Sequence, residues 1–157
     1  MKAIHWIIAA AALTSVQAAP ASAGVNDPEV IIYRFPWVRD SGDGAGLGWA
    51  TVFSCTNFSG AQETIRFVIR RSDTTILANT TQPLFHLETR AVATHAPAGI
   101  PLNVTFNTGL ADPGTAAIAA TSTNIICTAT VVNAASSTVN GVALRGVRFN
   151  PAPGSQE

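Results

Sequence analysis

Residues 29–39, EVIIYRFPWVR, put Ile31, Tyr33, Phe35 and Trp37 at every second position, and that period of two predicts a β-strand. Pro36 has no N–H to give to a ladder, so the strand is expected at a sheet edge or with a bulge there. WATVFSC (49–55) resumes the alternation, with Trp49, Thr51, Phe53 and Cys55 on one side and Ala50, Val52 and Ser54 on the other. The plainest strand is AQETIRFVIRR, where Ile65, Phe67 and Ile69 alternate with Thr64, Arg66, Val68 and Arg70; it should be half solvated. A short strand follows in TTILANTT. PLFHLETRAVATH (83–95) alternates again, with Phe85, Leu87, Ala91 and Ala93 expected inward and His86, Glu88, Arg90 and Thr94 outward. LNVTFN (102–107) is a further short strand after the break at APAGIP.

GTAAIAAT (114–121) divides two readings. Asp112 before Pro113 is a plausible helix start and alanine favours helix. The run is too short for a stable isolated helix and contains the β-branched Thr115 and Ile118, so a strand is predicted. TNIICTATVVN (123–133) is almost continuously apolar and β-branched, as a central strand buried on both faces would be. GVALRGVRF reads as one last strand.

Seven to nine short strands separated by turn residues, with no helical periodicity of useful length, predict an all-β, immunoglobulin-like, antiparallel sandwich of two sheets. Its span is expected to be residues 24–149, with 150–157 as a tail. Immunoglobulin domains carry a core tryptophan about a dozen residues after the first cysteine. Here that position holds Phe67.

The first 23 residues combine Lys2, an apolar run from Ile7 to Leu13 and the small-residue end Ala21-Ser22-Ala23, the layout of a cleaved secretory leader. Removal after Ala23 leaves 134 residues, the size of one domain. The apolar run is well short of a membrane span, and no cysteine stands at the cleavage sites to take a lipid. A periplasmic or secreted product with no membrane insertion is therefore expected.

In such a compartment the two cysteines, Cys55 and Cys127, should form a disulfide, and their spacing of 72 suits an inter-sheet bridge of the immunoglobulin type. The alternatives, a catalytic thiolate or a metal ligand, need a histidine or cation nearby, and no histidine lies within twenty residues of either cysteine. Lys2 is the only lysine, so the mature chain has eight arginines against nine acidic residues. That balance leaves no electrostatic footprint for nucleic acid.

The runs CTNFSGAQETIRFVIR, GTAAIAATSTNIICTA and LRGVRFNPAPGSQE resemble a group of small exported bacterial β-sandwich proteins to which no activity is assigned. The resemblance covers most of the mature chain. It implies the compartment and the fold, and it brings no cofactor and no site residue.

Candidate chemistry is sparse. His86 and Glu88 would project from one face of a strand as an imidazole and carboxylate pair. Too few further ligands exist for zinc, and no hydrolase motif such as G-x-S-x-G or H-E-x-x-H is present. Asp40 and Asp43 in DSGDGAGLG offer oxygens of the kind calcium takes, but the stretch matches no calcium loop and reads as an ordinary turn. Arg66, Arg70, His86 and Arg90 are the candidate ligand contacts, the arginines lining one solvated face with Glu88 as a cross-strand partner. Tyr33, Phe35, Trp37 and Trp49 are either core or a platform for sugar rings. NFS at Asn57, NTT at Asn79 and NVT at Asn103 fit the glycosylation pattern.

The functional expectation is a non-catalytic exported binding or surface-structural module, its partner an envelope protein or a glycan, with no cofactor. The alternative is a small extracytoplasmic enzyme using His86 or His95 as acid or base.

Overall fold

The computed structural model describes residues 29–149, so the expected leader and the expected tail at 150–157 lie outside the described residues. Ten strands are found there: β1 (Val30–Asp40), β2 (Trp49–Asn57), β3 (Glu63–Arg71), β4 (Ile76–Leu84), β5 (Thr89–Ala93), β6 (Val104–Thr105), β7 (Ala111–Ala120), β8 (Ile125–Asn133), β9 (Gly141–Leu144) and β10 (Val147–Arg148). They form two five-stranded sheets, ordered β10-β1-β7-β3-β4 and β6-β5-β2-β8-β9. All pairs are antiparallel except β5 with β6. The fold is the expected sandwich, with two strands of only two residues raising the count above nine.

The core is the space between the sheets. Ile65, Phe67 and Ile69 of β3, fully buried, face Phe53 of β2 and Ile125 of β8. Phe67 occupies the middle of an aromatic row, its ring 6.1 Å from Phe53 and 5.5 Å from Phe106. The alanine-rich segment is strand β7, held at the centre of its sheet between β1 and β3. Tertiary pairing on both edges decides against the local helix propensity of alanine.

Several expectations are corrected. The ladder between β1 and β7 is irregular around Ile32, Trp37 and Arg39, so Ile32, Phe35 and Val38 enter the core while Ile31 and Trp37 face outward. A bulge adds one residue to one strand and flips the alternation beyond it, which no strict period of two anticipates. The segment 83–95 is broken by a turn at 85–88: Phe85 and Leu87 are exposed, and Leu87 has a φ of 61°. Strand β8 is buried on one face only along most of its length, and Ile126 is exposed. Its Val132 belongs to a second small cluster with Ala50, Val52, Ala93 and Ala134, packed against Ile100 and Leu102 of the loop that follows β5. GVALRGVRF is two strands, one in each sheet, joined by Arg145-Gly146.

The disulfide Cys55–Cys127 is present, but it does not bridge the sheets. Cys55 of β2 stands directly opposite Cys127 of β8, its neighbour in the same sheet, with Cα atoms 4.1 Å apart. The 72-residue separation contains the excursion through β3 to β7, after which the chain returns beside β2. Sequence distance therefore does not report inter-sheet distance here.

Candidate functional site

A groove of about 410 Å³ opens between β1 of one sheet and β9 of the other. Pro36, Trp37 and Arg39 form one wall; Val142, Ala143, Leu144 and Arg145 form the other, with Trp49 and Val131 between them. It exists because β10 covers β1 only at Tyr33 and Arg34, leaving the stretch from Pro36 onward without a neighbour on that side. Beyond that point the chain crosses from sheet to sheet at Arg145-Gly146, and Gly146 lies so close to the Phe35 ring that a Cβ has no room.

Trp37 is the extra residue of the bulge between Pro36 and Val38, with a φ of 61°. Positive φ is costly for a large side chain, and such strain gathers at ligand clamps and functional edges. Its effect is to turn the indole out of the core: Trp37 is 64% exposed and Trp49 45%. The Arg39 guanidinium lies 5.8 Å from the Trp49 ring centroid and makes a two-point ion pair with Asp112, Nε to Oδ1 at 3.0 Å and Nη2 to Oδ2 at 2.6 Å. Hydrogen bonding to Asp112 raises the Arg39 pKa above its ordinary value, so its charge is permanent and already matched. The backbone of Arg39 is fixed as well, because the Thr51 hydroxyl accepts from its N–H at 2.8 Å and donates to its C=O at 2.9 Å. Arg145 is exposed and makes no ion pair among the described residues.

Beside the groove wall, where β1 ends, lies a buried polar knot. Asp40 Oδ1 is 2.8 Å from His95 Nδ1 and accepts the Gly42 N–H, while Asp40 Oδ2 accepts the Thr108 hydroxyl at 2.7 Å. His95 Nε2 stands 2.9 Å from the carbonyl of Leu47. A carbonyl only accepts, so Nε2 carries a proton and both ring nitrogens are engaged. Asp40 and His95 are 1% and 3% exposed, which leaves neither ring nitrogen facing solvent. The knot fastens the glycine-rich loop 41–48 to the end of β5, helped by Gly46 N–H donating to Ala96 C=O at 2.7 Å.

The sequence candidates scatter. His86 is exposed on the turn after β4 and accepts the Gly60 N–H at Nδ1; Glu88 turns instead to the Phe85 N–H and to Arg90, so the expected pair is not formed. Glu88 has a pKa below the ordinary carboxylate range, first because of the Phe85 N–H and then because of Arg90. Arg66 and Arg70 belong to β3 in one sheet and Arg90 to β5 in the other, so the three do not share a face. Arg90 spans the gap between the sheets instead, bonding Gln82 of β4 at 3.0 Å. The contact between Arg90 and Glu88 runs along one chain segment, not across strands. Asp40 is consumed by the knot, Asp43 is exposed on the loop, and no cluster of three or more metal-ligating side chains occurs among the described residues.

Tyr33 and Phe35 belong to the core, so only Trp37 and Trp49 of the four aromatics line the groove. Asn57 is fully buried, with its amide nitrogen bonded to Ala61 and Leu84 carbonyls, which removes it as a glycan acceptor in the folded protein. Val142, Leu144 and Arg145 carry no motif; their role comes from where β9 ends. The one usable signal was Pro36 beside Trp37, which marks an edge or a bulge in the strand. No helix among the described residues is long and apolar enough to cross a membrane. The chain matches no described protein family, no curated protein and no solved structure.

Proposed function

We propose that the protein is an exported, non-catalytic binding module whose ligand lies in the groove between β1 and β9. The observation that carries this reading is an open apolar groove, of the size small-molecule sites have, with both tryptophans of the described chain at its walls. Exposed indoles cost solvation free energy unless something covers them, and Trp37 is held outward at an additional conformational cost. Export is supported by the leader pattern, by the disulfide, and by the resemblance to small exported bacterial proteins.

The enzyme alternative rests on His95 or His86. His95 has a carboxylate beside it, as a general base would, but its second nitrogen is capped by the Leu47 carbonyl. A base must reach the proton it abstracts. His86 has no carboxylate partner. The binding reading is tested by a small-molecule fragment screen followed by amide and indole chemical shifts. Hits should shift Trp37, Trp49 and Val142, and Trp37→Ala should lose them. A screen whose hits all map elsewhere, or a turnover assay abolished by His95→Gln with an intact fold, would overturn it.

A further inference from the structure

We infer that the groove takes an amphiphilic carboxylate, an apolar body lying against Trp37 and Trp49 with its anionic head on Arg145. This rests on the groove being the binding site, and it names what that site selects. The walls favour one class of ligand. Apart from Arg39 and Arg145, the residues lining the groove are Pro36, Trp37, Trp49, Val131, Val142, Ala143 and Leu144. A sugar ring buried there would leave most of its hydroxyls without partners, and unpaired buried hydroxyls oppose binding. The lining is that of a slot for hydrocarbon.

Charge complementarity supplies the head group. Arg39 and Asp112 cancel each other in a two-point pair that also holds the guanidinium near the Trp49 ring. Arg145, on the opposite wall, has no acidic partner among the described residues, so the groove rim keeps one uncompensated positive charge. A planar guanidinium matches a carboxylate with two parallel hydrogen bonds. An uncharged amphiphile would fill the same slot and leave that charge unused. A cationic one would be repelled.

The test titrates the full-length protein with decanoate, 1-decanol and decylammonium, all below their aggregation concentrations. The readout is tryptophan emission together with the indole shifts of Trp37 and Trp49, the two tryptophans among the described residues. Decanoate should bind at least tenfold more tightly than decanol, and decylammonium more weakly still. Arg145→Gln, checked for an unchanged circular dichroism spectrum, should bring decanoate down to the affinity of decanol. Equal affinity for decanoate and decanol in the native protein would overturn the inference while leaving the groove as the binding site. Absence of any indole shift with all three probes would overturn both. Trp37→Ala should weaken decanoate and decanol by the same factor, since the indole contacts the apolar body alone.

Discussion

A tryptophan at a φ of 61° is a residue in a conformation that its own side chain opposes, by about 1 to 2 kcal/mol. Glycine would adopt it without that cost, and because the indole is mostly exposed, little buried area would be lost. Trp37→Gly should therefore preserve the stability against urea or raise it by up to about 1 kcal/mol, the relieved strain being partly offset by the greater freedom of glycine in the unfolded chain, while weakening binding in the groove. A variant at least as stable as the native protein that binds more weakly is what a strained functional residue predicts; a destabilised one would show that the indole is structural. At Asp40 and His95 the balance runs the other way. His95→Ala would leave a buried carboxylate without its ring partner, and breaking a buried pair costs about 3 kcal/mol or more. His95→Gln, which restores a donor, should recover part of that loss in the same denaturation measurement. Limited proteolysis of the loop 41–48 should follow the same order, because Leu47 is tethered through His95 Nε2.

Elements whose two faces differ cleanly were readable from the chain. β3 puts Ile65, Phe67 and Ile69 in the core as its alternation demands, and the alanine-rich β7 was recognisable as a strand from its length and its β-branched residues. The misread elements are those where one residue is inserted or a turn interrupts a regular pattern. Trp37 moved outward because of a bulge, and Phe85 and Leu87 because 85–88 is a turn whose polar and apolar positions happen to alternate. The groove was hidden for a related reason. Its far wall depends on GVALRGVRF splitting between the sheets, and a crossover of two residues leaves no mark in hydrophobic period. The turn after β4 is held by Glu88, which accepts the Phe85 N–H at 2.8 Å and pairs with Arg90 at 2.6 Å. Both contacts favour the ionised carboxylate, so its folded pKa lies below the unfolded one. The stability it contributes is present above the ordinary glutamate range, near pH 4.3 and upward, and is lost as pH falls through the lower folded value. Because the pair is partly solvated, Glu88→Gln should cost only about 0.5 to 1 kcal/mol at pH 7. Denaturation curves of the two proteins should converge as the pH is lowered below 4.

At the scale of the whole molecule, the place of the disulfide decides how the sandwich holds together. A bridge between sheets would clamp the two layers, and its loss would let them part. The observed bridge joins β2 and β8, which are already paired along nine positions from Trp49 to Asn57, so the layers are held by the core and by polar links such as Thr51 to Arg39. What the bridge restricts is the unfolded chain: closing a loop of 72 residues removes conformational freedom worth about 4 kcal/mol on the chain-entropy account. The net stability of a domain is roughly 5 to 15 kcal/mol, so that is a large share, yet it is not a packing term. Replacing both residues, Cys55→Ala with Cys127→Ala, should leave the β-sheet circular dichroism and the groove shifts unchanged while lowering the urea stability by about 4 kcal/mol. Reduction of the native protein should give the same loss, and the unfolding should remain a single cooperative transition. Separate melting of the two sheets in the double variant would mean that the sulfur bridge clamps the layers after all, and that the core between Phe53 and Phe67 is too weak to do so alone.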